Sequence, residues 1–341
     1  MQIIHARNVE EALILGMKKT AAEGKNRDSR NGPVYTFSEP LTTVYEKPRE
    51  RVMFLPERDC NPFFHFMESL WMLAGRNDVE WISRYNSTFE QFSDDGVTFH
   101  GAYGYRWRNW FGAWEADGGQ IQKVGIIDQL QTIAAALKQN PDDRRIVLQM
   151  WDTSADLGMM GKDFPCNLVT TFRINPSGHL DMTVFNRSND LIWGAYGANA
   201  VHFSVLQEVM AAWIGVPVGR YWQISSNFHA YLNTFEKHKA LLDLSPGFTP
   251  YELGEVQPFQ IVNTDIETWF RDLDIFMSEG PVMGFQDPFF KKVVVPMFQA
   301  WEAWKDKDAP DFMDTARYFA DRIAATDWRK ACLEWLERRD V

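Results

Sequence analysis

Apolar residues recur every third or fourth position in residues 9–22, 63–73, 126–137 and 201–213, and again repeatedly from Ile266 onward, a spacing that predicts helices. Between them, residues 34–45, 146–151, 168–174, 180–185 and 221–225 are rich in β-branched and aromatic side chains and predict strands. Pro176-Ser177-Gly178 joins two of these as a hairpin turn. The class that follows is α+β, a mixed sheet packed by helices. Crossover helices do not regularly separate the strands, and no glycine-rich phosphate loop is present, so a doubly wound nucleotide fold lacks support. Proline, glycine and polar residues gather in residues 247–260, and the rest reads as helical, with a last helix over 328–339. The expected division is a main domain, 1–262, and a helical extension, 263–341.

Composition narrows the function more than the fold. With 341 residues, 45% hydrophobic and 24% charged, the chain can bury one large core or two modest ones. Its 14 Trp and 25 Phe are spread along the chain and read first as core packing. A net charge of -11 argues against a nucleic-acid groove, which needs an excess of cations, although a few local arginines suffice for a single nucleotide. No apolar leader and no membrane-length apolar run is seen, so a cytoplasmic protein is expected. Without a secretion signal, the glycosylation-type triplets at Asn86 and Asn186 carry no weight. Cys60, Cys166 and Cys332 are odd in number and widely spaced, which excludes a disulfide framework and a Cys-x-x-Cys knuckle, and no metal is expected.

Free cysteines are mostly buried hydrophobes, and Cys60 and Cys332 are read that way. Cys166, in Asp163-Phe164-Pro165-Cys166-Asn167, differs in its surroundings. Some twenty residues before it stands Asp142-Asp143-Arg144-Arg145, and some twenty after it Asn186-Arg187-Ser188-Asn189-Asp190. Guanidinium forks match phosphate oxygens, so these clusters are suited to a phosphate and to drawing a nearby thiol towards thiolate. Taken alone, each is more often a surface ion pair. Further on, Ser225-Ser226-Asn227-Phe228-His229-Ala230-Tyr231 puts His229 and Tyr231 on one side of an extended segment. A core His and Tyr would be the ordinary reading of that segment in isolation.

The order Arg-Arg, Pro-Cys, Arg-Ser-x-Asp with Gly and Asn downstream, then His-x-Tyr, resembles the family of thymidylate synthases and pyrimidine nucleotide hydroxymethylases. The likeness extends upstream to residues 66–75, which contain Glu68, and to Gly101-Ala102-Tyr103-Gly104-Tyr105-Arg106-Trp107, and it covers about residues 26–240. It implies a thymidylate synthase-like fold and addition of the Cys166 thiolate to C6 of a pyrimidine nucleoside monophosphate, with 5,10-methylenetetrahydrofolate as one-carbon donor. It also implies a phosphate clamp of Arg187 and Ser188 with Arg144 and Arg145 from a second subunit, hence a homodimer. Arg30 is a further clamp member, with Arg27 competing for that place. By the same likeness His229 and Tyr231 bind the sugar, Asp190 the pterin, and Glu68 and Tyr103 manage proton and water traffic at the base. Asn199 reads the base: an amide suits the O4 and N3-H edge of uracil, whereas cytosine-acting members tend to carry a carboxylate there.

Methyl-forming members resemble one another in a tryptophan-bearing segment before the Tyr103 motif and in a short apolar tail that covers the folate. Residues 87–95 here contain no Trp, and the chain ends on the charged stretch 334–341. A wetter pocket is implied, and with it hydroxymethylation of dUMP, with Glu90 as a water-orienting carboxylate on the folate side. Thymidylate synthesis, action on dCMP or CMP, and a non-catalytic nucleotide-binding module are the alternatives. Asn167, where His is usual, and Asn227, where Asp is common, also depart from the pattern.

Overall fold

The computed structural model describes residues 1–117 and 120–340; Val341, the last residue of the charged tail, lies outside them. Twelve strands occur among the described residues: β1 (Gln2–Ala6), β2 (Lys25–Arg27), β3 (Val34–Thr36), β4 (Leu41–Tyr45), β5 (Gly112–Asp117), β6 (Gln120–Ile126), β7 (Val147–Gln149), β8 (Asn167–Ile174), β9 (Leu180–Asn186), β10 (Asn189–Asp190), β11 (Val218–Ser225) and β12 (Phe228–Tyr231). Six of them form a mixed sheet in the order β1-β4-β11-β9-β8-β7, and β10-β12-β3-β2 form a second, smaller one. The α+β expectation holds.

Side chains alternate across the large sheet as a pleat requires. Leu148, Phe172, Met182, Val184 and Tyr221 are buried against helices, while Val147, Val169, Phe185, Trp222 and Ile224 on the other face stay half-buried or exposed. Helix starts follow capping chemistry. Asn61 accepts from the Phe64 amide and Pro62 takes the first turn of the Pro62–Leu73 helix, while Asn8, Asp128 and Asp265 cap three others in the same way. Every residue of Pro62–Leu73 is buried, which makes it the central helix.

Two predicted boundaries shift. The run 34–45 divides into β3 and β4, in different sheets, because Pro40 interrupts the ladder and the chain changes partner there. The helix expected from Ile126 starts at Gln129, after its Asp128 cap, and Ile126 closes β6 instead. Of the C-terminal helices Ile266–Glu279, Val295–Lys305, Phe312–Ala320 and Thr326–Glu337, the second and fourth pack onto the central helix and the third packs onto those two. Phe63 meets Trp301 and Trp335, both at 5.5 Å between ring centroids, and Phe66 meets Trp328 at 5.2 Å. No helix among the described residues is long and apolar enough to cross a membrane.

Candidate active site

Cys166 sits just before β8, and Arg187 just after β9. The β8–β9 hairpin, closed by Gly178 at φ 79°, pairs Asn167 with Asn186, and the Arg187 amide donates to the Cys166 carbonyl at 2.9 Å. The twenty-residue separation in sequence is thus one hairpin in space. The Arg187 guanidinium donates to the carbonyls of Pro165 (2.9 Å) and Phe164 (3.1 Å), which orders the loop that carries the thiol. From the other side, the Tyr103 hydroxyl accepts from the amides of Cys166 (3.3 Å) and Asn167 (3.4 Å). Gly104 is required beside Tyr103, because a Cβ there would stand 2.0 Å from the Met72 carbonyl oxygen of the central helix.

Arg187 is expected to draw Cys166 towards thiolate, and it does pull in that direction. Burial outweighs it, however, and with Asp163 nearby the thiol lies above its ordinary range. The second cluster does not help. β7 pairs antiparallel with β8 through Val147 and Thr171, so Arg145 lies level with Arg173, seven residues or about 23 Å along the strand from its own Cys166. Arg144 and Arg145 are exposed there, and Arg145 pairs with Asp143 at 2.8 Å.

A chain of buried amides runs from Asn167, beside Cys166, through Asn199. Asn167 Nδ2 donates to Asn199 Oδ1 (3.3 Å), Asn199 Nδ2 to Asn189 Oδ1 (3.1 Å), and Asn189 Nδ2 to Ser225 Oγ (3.2 Å). Asn199 therefore keeps one N–H and one acceptor direction for a ligand. On the adjacent small sheet Asp190 pairs with His229 between β10 and β12, and His229 and Tyr231 share one side, with rings 5.3 Å apart. Asn31, next to Arg30 in the exposed turn between β2 and β3, donates to the Tyr231 hydroxyl at 3.5 Å, so this turn meets the sugar-type strand. Arg27 and Arg30 are both exposed on that turn side.

A cavity of about 620 Å³ opens beside these groups, lined by Glu68, Tyr103, Asn199 and His202, with Phe64, Phe89, Phe92 and Trp193 as aromatic walls. Gln91 faces this cavity. Glu90 does not: it lines a separate surface hollow with Asp94 and Lys162, because the short helical turn Phe89–Phe92 points successive residues in different directions. His65, His202 and Arg58 are cavity residues that the motifs did not single out. Arg58 lies 4.5 Å over Trp193 and donates to the Ile192 carbonyl at 3.1 Å. Their one sequence signal is helical spacing, His65 three before Glu68 and His202 three after Asn199. Among the described residues no cluster suited to a metal ion occurs.

Burial raises the Glu68 carboxyl to about 8 from an ordinary 4.5. The folded chain thus holds a proton that the unfolded chain releases, so this residue's contribution is most favourable below pH 4.5 and declines as pH rises towards 8. E68Q, which needs no proton, should match wild type in urea unfolding at pH 4.5 and exceed it by roughly 3 kcal/mol at pH 7. The same stability difference at both pH values would refute the raised carboxyl.

The sequence model described as thymidylate synthase matches residues 15–268. A deoxyuridylate hydroxymethyltransferase of Pseudomonas phage M6 is 52% identical over 346 aligned positions, covering 99% of this chain and 95% of the phage protein. One of Bacillus phage SP01 is 42% identical, over 71% of this chain and 68% of that protein, and one of Delftia phage PhiW-14 is 28% identical, over 67% and 62%. The family model ends at 268 whereas the M6 match runs nearly the full length, so the C-terminal helices have a counterpart in that relative.

Proposed function

The chain belongs to the thymidylate synthase family, and from that we propose that it hydroxymethylates C5 of deoxyuridylate through a Cys166 adduct at C6. The observation that carries this reading is the 52% identity to a deoxyuridylate hydroxymethyltransferase across 99% of the chain. Geometry supports it: the nucleophile position, the amide chain that passes through Asn199, and an aromatic cavity meet at one end of the β8–β9 pair.

Methylenetetrahydrofolate supplies a carbon at the oxidation level of formaldehyde. The chain fits such a ligand: Phe64, Phe89, Phe92 and Trp193 wall the cavity, and the half-buried Asp190 keeps its buried Oδ2 without a partner for a pterin N–H, its Oδ1 accepting from the Trp193 amide at 2.6 Å. Attack of the Cys166 sulfur on C6 makes C5 nucleophilic, and Asn199 holds the O4 and N3-H edge while the charge passes through O4. Tyr103 fixes the nucleophile loop, and His229 and Tyr231 orient the sugar. Incubation with dUMP, dCMP or CMP plus the folate, followed by product mass, tests the reading. A hydroxymethyl increment on dUMP is expected, and a methyl increment with dihydrofolate, or product only from a cytosine nucleotide, would refute it.

The outer face of the large sheet, with Val147 exposed and Val169, Phe185, Trp222 and Ile224 half-buried, supports a homodimer built by sheet-on-sheet contact. So does the remoteness of Arg144 and Arg145 from their own Cys166, for across a two-fold axis they can serve the partner's phosphate site beside its Arg187 and Ser188. Mixing subunits tests this. C166S and R144A/R145A should each be inactive alone, whereas random exchange should restore about a quarter of wild-type activity, since half the dimers then carry one intact site of two. No recovery on mixing would exclude shared arginines.

A further inference from the structure

His202 is buried, and its Nε2 approaches Glu68 Oε2 to 3.3 Å at the cavity wall. Both atoms are fully buried, yet neither has a well-aligned hydrogen bond with any protein atom. Each therefore keeps a direction for a third group, and both residues line the cavity. His65, on the same turn of the central helix as Glu68, backs the pair with its ring 6.2 Å from that of His202. Two buried histidines beside a buried acid have no packing rationale, since apolar side chains would fill the space at less desolvation cost.

We propose that His202, paired with Glu68, binds and deprotonates the water that becomes the hydroxyl of the product; this rests on the hydroxymethylation reading above. At that stage Cys166 sulfur is bonded to C6 and C5 carries an exocyclic methylene. The water oxygen bonds to the methylene carbon, the C=C electron pair moves through C5 onto O4, and the water proton passes to His202 Nε2. The O4 electrons then return, C5=C6 re-forms, and the C6–S bond breaks with its electron pair leaving on Cys166. No oxidant or reductant is needed. Burial keeps the His202 ring neutral, so that its Nε2 lone pair is available to the water, while Glu68 is raised to about 8. At neutral pH an uncharged imidazole thus faces a carboxylic acid, and the ring takes the water proton as negative charge builds on O4. Glu68 Oε2 and His202 Nε2, each without a hydrogen-bond partner in the chain, both face the water.

The test separates this step from the earlier ones. Release of tritium from C5-labelled dUMP reports the chemistry before water arrives, product mass reports water addition, and an added thiol such as 2-mercaptoethanol traps an uncaptured methylene. H202F should release tritium within about threefold of wild type, lose at least tenfold in hydroxymethyl product, and form the thiomethyl nucleotide. If H202F is not folded, H202Q, polar and of similar size but unable to take the proton, should show the same split. One hydroxymethyl product per tritium released in the variant overturns the proposal, as does a parallel loss of both, which would put His202 before the water step. Failure of the wild type itself to release tritium would instead overturn the hydroxymethylation reading.

Discussion

C166S is expected to lose at least about 10³-fold in hydroxymethyl product and in tritium release from C5, while dUMP binding stays within a few-fold of wild type. The reason lies in what surrounds the sulfur. Burial already pushes the thiol up, and the nearby cation Arg187 directs two of its N–H groups at the carbonyls of Phe164 and Pro165. A thiol tolerates such a site because sulfur is intrinsically nucleophilic; a serine hydroxyl would need a strong adjacent base. The groups proposed to hold the nucleotide, by contrast, sit on other elements, Asn199 on the helix Asn199–Ile214 and His229 and Tyr231 on β12. Product mass, tritium release and equilibrium titration with dUMP check the three quantities. A variant keeping a tenth of wild-type activity would remove Cys166 as nucleophile, and loss of binding along with activity would show that the loop collapses.

The second large effect is expected at the base. N199D should cut kcat/KM for dUMP by about 10²- to 10⁴-fold and raise turnover of dCMP, inverting the preference. The Asn199 amide is oriented by its neighbours, accepting from Asn167 and donating to Asn189. A carboxylate at 199 offers the cytosine amino group an acceptor, and it leaves uracil O4 facing an oxygen. It also sets an oxygen against Asn189 Oδ1, so a lower unfolding midpoint should accompany the change. Paired kcat/KM measurements on the two nucleotides decide the matter. Unchanged discrimination would mean that Asn199 only bridges Asn167 and Asn189 and does not read the base.

Asn167 itself acquires a role from this geometry. At sequence level it is a departure, an amide where His is usual. In the fold it is wholly buried and starts the amide chain that holds Asn199. Part of the site was legible because its residues stand in motifs whose order survives any folding: Cys166 with Arg187, His229 with Tyr231, and Tyr103 with Gly104. Each is local, or joined by one hairpin whose turn signal, Pro176-Ser177-Gly178, is also in the sequence. His65, His202 and Arg58 were not legible, since each acquires meaning only from a neighbour more than a hundred residues away. The placement of Glu90 outside the cavity has a similar origin. A short helical turn rotates each residue by roughly 100 to 120°, and one step decides whether Glu90 or Gln91 enters the cavity.

The sequence by itself determined the α+β class, most element positions and the order of the motifs around Cys166, because periodicity, capping and motif order are properties of neighbouring residues. Tertiary structure alone decided that Arg144 and Arg145 lie at the wrong end of β8 to serve their own Cys166. It also decided that burial rather than arginine dominates the thiol, and that Glu68 meets His202. Those outcomes depend on strand register, on desolvation and on the packing of one helix against another, and none of the three is a function of spacing along the chain.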